Sequence, residues 1–302
     1  MKIAALSLTM NDYHVVDQWV KFYEDHKDVL YKHIIVHNTA NKDYEDLIAS
    51  KFTDSVIITR ETNGGTTGAY NTGIKEALKD PEVDTIMLIA NDIKINSNSI
   101  RELYELLQSA KNIGAVAPIM LENDDKTIVA YGENLTKDTG LDRLYHNQLL
   151  SPNLPETVEC ECLPGGMNMM KREVYEKVGL QDESLFMYCD ENEYFLRIAK
   201  AGYKIMATSK ALSSHCHIYT EGTKNDNSLA WFYINRNHLL VCRQYRSFKM
   251  ALVLFLKQFF YAGVKQSFGF IIDKTPKKIY YYYLGLIHGI LGIRNNFVKK
   301  LG

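Results

Sequence analysis

Over the first 120 positions, apolar residues fall into two alternating patterns. Short runs at Ile3–Thr9, 33–37, 55–59, 85–90 and 115–120 are continuous and rich in β-branched residues, as expected of strands buried on both faces. Between them, Trp19, Val20, Phe22 and Tyr23, and later Ile100, Leu103, Leu106 and Leu107, recur at helical spacing and give two helices an apolar side. Strands alternating with helices predict an α/β fold around a mostly parallel central sheet, whose ligands sit at the carboxyl ends of the strands. Beyond position 120 the regularity lapses: 123–126 reads as a turn and 136–155 as an irregular loop, long enough for a lid or an acceptor-binding element. From Asn225 onward helices predominate, with breaks expected near Gly263, Gly269 and Pro276. The chain therefore divides into an α/β domain over 1–224, with halves at about 1–120 and 121–224, and a helical extension over 225–302.

Charge sharpens this division. Residues 236–302 carry twelve Lys or Arg and one acid, Asp273, a net of +11, whereas residues 1–235 carry 23 bases against 35 acids, a net of −12. Two parts of opposite sign imply two kinds of partner. In the extension, 252–260 and 280–293 are rich in aromatic and aliphatic residues, but both are shorter than the ~20 residues that span a bilayer. Interleaved with Lys and Arg, they read as interfacial and suited to an anionic lipid surface; a hairpin packed on the α/β domain, or a homodimer contact, is the alternative. A basic, aromatic tail also suits nucleic acid, but no nucleic-acid module accompanies it. The five cysteines lack the regular spacing of a disulfide framework, and the single-residue gap between Cys160 and Cys162 argues against zinc. The opening residues read as a strand rather than a secretory signal, so a cytoplasmic protein is expected.

Three places carry candidate chemistry. The run Asn63-Gly64-Gly65-Thr66-Thr67-Gly68-Ala69-Tyr70-Asn71-Thr72-Gly73 lies between a strand and a helix, where glycines let the backbone approach a ligand and helix-start amides suit phosphate. By itself it is equally a helix-capping turn. The fourth strand runs into Asn91-Asp92, which offers a carboxylate to a hard divalent cation, although an Asp there is ordinarily a turn residue. Asp190-Glu191-Asn192-Glu193 opens a helix, where acids favour the dipole; after Leu185-Phe186-Met187-Tyr188, partly apolar surroundings would raise a carboxylate's pKa toward that of a general base.

Taken in order, these motifs resemble the family 2 glycosyltransferases of the GT-A fold, in particular the rhamnosyltransferase-like branch that builds bacterial surface polysaccharides. The resemblance covers roughly residues 1–240. It matches the family's first-strand Asn with Thr9-Met10-Asn11, its second-strand pair with His37-Asn38, and its Asn-x-Gly motif with Asn63, Gly65, Gly68, Asn71 and Gly73. The metal-binding Asp is matched by Asp92, preceded by Asn91. The glycine-rich acceptor side is matched by Gly165-Gly166 with Lys171-Arg172, and the Gly-x-x-Asp-Glu motif by Gly179 to Glu183. The acidic motif is matched by Phe186 to Glu193, with Arg197 following and Glu191 in the place of the catalytic Asp; His215, with His217 as its substitute, matches a later metal or diphosphate ligand. Three positions depart from the pattern: Ala90 replaces an Asp or Asn, His37 replaces the second-strand Asp, and Glu191 lengthens the base by one methylene.

The resemblance implies an inverting transfer from a UDP- or dTDP-sugar to a hydroxyl of a glycan or lipid-linked glycan. Mn²⁺ or Mg²⁺ would be held by Asp92 and His215, Glu191 would act as base, and Asp190 and Glu193 would orient acceptor or base. Thr9, Asn11, Asn38, Asn63, Gly65, Gly68, Asn71, Asn91 and Asp92 would hold the donor, and Gly165, Gly166 and Arg197 would face the acceptor. Two competing readings are a nucleotidyltransferase that makes the sugar nucleotide and a degenerate sugar-nucleotide domain that only binds at a membrane surface.

Overall fold

A computed structural model describes residues 1–215 and 228–294, with the backbone alone for His215. The candidate ligand role of the His215 side chain and that of His217 lie outside the described residues. The first half alternates as expected: β1 (Ile3–Thr9), α1 (Val16–His26), β2 (Lys32–His37), α2 (Lys42–Lys51), β3 (Val56–Thr59), α3 (Gly65–Leu78) and β4 (Thr85–Ile89). A short β5 (Ile93–Ile95), α4 (Ser97–Gln108) and β6 (Ile113–Leu121) follow. The chain then makes β7 (Ile128–Ala130), β8 (Glu133–Leu135), β9 (Leu141–Arg143), β10 (Thr157–Cys160) and β11 (Met167–Lys171). It finishes the α/β part with α5 (Arg172–Val178), α6 (Asp190–Lys200) and β12 (Lys204–His215).

The main sheet runs β10-β12-β6-β11-β4-β1-β2-β3, with β5 and β7 at its side. Strands β3, β2, β1 and β4 are parallel, as are β6 and β12, but β11 lies antiparallel between β4 and β6. The sheet is therefore mixed rather than mostly parallel. The chain leaves β6 at its carboxyl end, makes its excursion there and re-enters from the same side, and without a crossover it must run backwards. Alternation along the strands sorts the core: Ala4, Leu6, Ile86 and Leu88 face α3, α5 and α6, while Ile3, Ala5, Met87 and Ile89 face Ile100, Leu103 and Leu107 of α4. Asn96 caps α4 by accepting a hydrogen bond from the Ser99 amide.

The loop expected over 136–155 contains β9, which pairs with β8 to form a small hairpin. All three residues of β9 are exposed, so no apolar alternation marks it. In the extension, α7 (Ser228–Tyr245) and α10 (Lys277–Leu291) pack along each other, and α8 (Phe248–Lys257), a π-helical turn at Gln258–Ala262 and α9 (Gly263–Ile272) run as one continuous rod. The break expected at Gly269 is absent because Gly269 lies inside α9, and Gly263 continues the rod; the chain turns only at 273–276. The expected interfacial segment over 280–293 is in part core, since Tyr282 and Leu286 are buried against Leu239, Leu254 and Phe270. Gly285 and Gly289 permit this packing, because a Cβ at either would strike the backbone carbonyl of Phe232 or Arg236.

Candidate active site

The carboxyl ends of β1, β2 and β4 carry a polar network. The Thr9 hydroxyl and the Met10 amide donate to the Asp12 carboxylate, as does Asn91 Nδ2 at 3.0 Å. Asn38 Oδ1 accepts from the Gly64 amide at 3.1 Å, and Asn38 Nδ2 donates to Asn63 Oδ1 and the Gly65 carbonyl at 3.0 Å each. Asn63 Oδ1 also accepts from the Gly65 amide. Two asparagines thus hold the glycine turn in shape. Gly65 adopts φ +69°, and a Cβ there would collide with the Phe186 carbonyl, so only glycine fits. His37 donates its Nε2–H to Asn11 Oδ1, burial lowers its pKa, and its Nδ1 finds no partner among the described residues.

The same turn grips the acidic helix. Thr66 donates its hydroxyl to the Phe186 carbonyl and to Asp190 Oδ2, 3.1 and 2.9 Å away. A cavity of about 810 Å³ opens beside it, lined by Thr66, Tyr70, Ala90, Gly165, Gly166, Asp190 and Glu191, with Glu133, Arg143 and Tyr188 on its walls. A Cβ on Gly165 would sit 2.9 Å from Glu191 Oε2, so this glycine leaves the room that the carboxylate occupies. Burial, then the charge of Asp190, then that of Glu133 push the Glu191 carboxyl up to about 8. Burial also raises Asp190, against the hydrogen bond from Thr66. The Tyr70 phenol, raised first by burial, feels Glu191, Asp190 and Asp92 together, which places Asp92 within electrostatic reach of the cavity.

Several residues expected at the site serve elsewhere. Asn71 is buried, and its amide is used up by the Gln181 backbone and the Glu183 carboxylate, so it braces the 181–183 segment instead of facing a ligand. Glu193 turns away from the cavity, ion-paired to Arg197 at 2.8 Å and accepting the Tyr245 hydroxyl at 2.6 Å. Arg197 spends its remaining donors on the Val178 and Leu180 carbonyls and so anchors α6 to the end of α5. Gly68 lies behind the turn, its carbonyl accepting from Arg60 and Thr72.

Sequence reading missed the hairpin's contribution. Glu133, buried and paired with Arg143 at 3.2 Å, and raised in pKa by that burial, supplies a further carboxylate to the cavity. It also missed what holds the acidic motif in place. Phe186, Tyr188 and Cys189 all have left-handed φ, at 68°, 63° and 57°, a conformation costing each non-glycine residue on the order of 1 kcal/mol. Asn237 of α7 donates to the Leu185, Met187 and Tyr188 carbonyls, each 2.8 Å away, and the fully buried Arg236 donates to those of Ser184 and Leu185. Burial lowers Arg236 to about 10, and its guanidinium lies over the Phe232 and Tyr233 rings. In the sequence the pair Arg236-Asn237 is only a loose family match without a role, because its partners lie about fifty positions away.

A pocket crowded with Asp190, Glu191 and Glu133, with Asp92 nearby, suits a positive charge. Hard carboxylate oxygens fit Mg²⁺ or Mn²⁺. No three ligating side chains converge among the described residues, so such an ion would draw further ligands from a diphosphate and water.

Residues 13–179, more than half of the chain, match glycosyl transferase family 2, and the chain belongs to that family. Over 147 residues it is 28% identical to the low-salt glycan biosynthesis hexosyltransferase Agl10 of Haloferax volcanii, a match covering 47% of this chain and 46% of that relative. The chain thus spans about half the length of the curated relative it matches. Among solved structures, GalNAc-T7 with UDP, GalNAc and Mn²⁺ aligns with a TM-score of 0.59 at 13% identity, covering 74% of this chain and 44% of that one. Mannosyltransferase PcManGT from Pyrobaculum calidifontis, in complex with GDP-Man and Mn²⁺, aligns at 0.56 and 10% identity, covering 96% and 87%. At such identities these structures establish the fold, which is GT-A. The family match favours the glycosyltransferase reading of the sequence over the nucleotidyltransferase one.

Proposed function

We propose that the chain is a metal-dependent, inverting hexosyl- or rhamnosyltransferase, which moves a sugar from UDP or dTDP to a hydroxyl of a glycan or lipid-linked glycan in surface polysaccharide synthesis. The observation that carries this reading is the Glu191 carboxylate, which sits against Gly165 in the cavity with its pKa raised toward neutrality. Glu191 takes the proton of the acceptor hydroxyl as that oxygen bonds to the anomeric carbon, and the bond to the diphosphate breaks on the opposite face. Asp190, held by Thr66, keeps α6 registered on the glycine turn. Mn²⁺ or Mg²⁺, held by Asp92 and the diphosphate with His215 as a further ligand, would neutralise the leaving group. Thr9, Asn11, Asn38, Asn63 and Asn91, at the strand ends, would hold the donor, and Arg143 with its hairpin would meet the acceptor. The reaction would take place in the cytoplasm at the inner face of the cell membrane.

The test is a screen of UDP- and dTDP-sugars for Mn²⁺-dependent release of nucleoside diphosphate. Turnover by the wild-type chain and its loss in Glu191→Gln, with donor binding retained, is the expected result. Donor binding without turnover in any condition would instead mark a degenerate sugar-nucleotide domain.

A further inference from the structure

The rod formed by α8, the π turn and α9 buries little of its surface. Along it, Phe248, Leu252, Leu256, Phe260, Val264 and Phe268 recur every four residues and are all exposed, Phe260 by 68% and Phe268 by 65%. The stripe continues to Ile272, 78% exposed, over a helix about 37 Å long at 1.5 Å per residue. Monomeric proteins rarely leave so long an apolar surface to water. The rod's other side is packed: Leu254 and Phe270 are buried against Leu239, Tyr282 and Leu286, so the exposed side is not a core face awaiting this chain's own helices.

Charge identifies what covers the stripe. Lys249, Lys257 and Lys265 follow it at eight-residue intervals, Lys274, Lys277 and Lys278 cluster just past its end, and residues 248–272 contain no acid. A second copy docked on this face would bring lysine toward lysine, within an extension already at +11. A bilayer core would have to swallow the three lysines, and no helix among the described residues is long and apolar enough to cross a membrane. Aromatic and aliphatic residues flanked by lysines suit the boundary between anionic headgroups and acyl chains. We propose that the 248–272 rod docks the protein, lying flat, on an anionic lipid surface.

The docked face adjoins the acceptor side. Lys249, Val253 and Lys257 border a cleft with Asp138, at the tip of the hairpin whose other residues Glu133, Leu141 and Arg143 line the catalytic cavity. An acceptor carried by the membrane therefore meets the same hairpin as the cavity. This deepens the functional reading above and rests on it only for the acceptor; lipid docking is measured without turnover, so either can fail alone.

Flotation of the full chain with phosphatidylcholine vesicles, with and without phosphatidylglycerol, tests the proposal. We expect co-flotation with the anionic vesicles, weaker with neutral ones and falling as salt rises. Phe260→Glu with Phe268→Glu, both at exposed sites, should keep the wild-type melting curve and weaken vesicle binding by about tenfold or more. Lys257→Glu with Lys265→Glu should erase the preference for anionic vesicles. Absence of co-flotation with anionic vesicles, undiminished binding by the Phe260/Phe268 variant, or a wild-type dimer that this variant splits while neither form binds vesicles would overturn it.

Discussion

Glu191 is a carboxylate held where its charge is poorly solvated, and stability and reactivity pull it in opposite directions. Its folded pKa lies above its ordinary value of 4.5, at about 8, so between these limits the folded chain binds more protons than the unfolded one and loses stability as pH rises. Replacing it with Gln removes that loss. Glu191→Gln should therefore melt at a higher temperature than wild type at pH 7, by roughly 1–3 kcal/mol of stability, with the gap closing toward pH 4.5. The same variant should lose about 10²–10⁴-fold in transfer rate, and wild-type kcat/KM should rise with pH as the base loses its proton. Thermal melts across that pH range and steady-state rates check both. Gly65→Ala is the opposite kind of change: it meets the Phe186 carbonyl at a left-handed φ and should cost roughly 2–4 kcal/mol, with weakened donor binding by calorimetry.

At the scale of elements, the acidic motif works because α7 holds it. The strained turn at Phe186, Tyr188 and Cys189 puts Met187, Tyr188 and Cys189 on the cavity wall, and Asn237 satisfies three of its backbone oxygens. Asn237→Ala should lower stability by roughly 2–4 kcal/mol and reduce kcat, and Asn237→Asp should be at least as damaging because it aims a carboxylate at carbonyl oxygens. Unfolding curves and transfer rates of the pair decide this, and a harmless Asp would show that the clamp does not hold the turn. The strands β1 to β4 and β6 were legible from their apolar runs, within a residue or two at each end. β9 was not, being short and exposed, nor was the reversed β11, because direction in a sheet depends on where the chain re-enters it and not on the composition of the strand.

Across the whole molecule, the extension has two faces with separate duties. α7 and α10 close on each other through Gly285 and Gly289, and that contact keeps Arg236 and Asn237 against the catalytic turn. Gly285→Val should push α10 off α7, lowering both the melting temperature and the transfer rate although the residue is remote from the cavity; retention of full activity would separate the extension from catalysis. The rod turns its apolar stripe the other way, toward solvent, and this is the face proposed above to dock on lipid.

What the sequence by itself determined is the order of strands and helices in the first 120 residues, the positions of Asn63, Gly65, Asp92 and Glu191 at the ends of those elements, and the charge division between the α/β part and the tail. These follow from local periodicity and from spacing within a single turn, which the chain carries in any conformation. Only the tertiary structure decided that Asn71, Glu193 and Arg197 brace the site while Glu133 and Arg143 line it, and that the tail packs one side against the acidic turn and leaves another exposed. Such roles depend on which side chains meet in space, Asn71 with Gln181, Glu193 with Tyr245 and Asn237 with Leu185, all more than fifty positions apart, and on which of two apolar faces the core leaves uncovered.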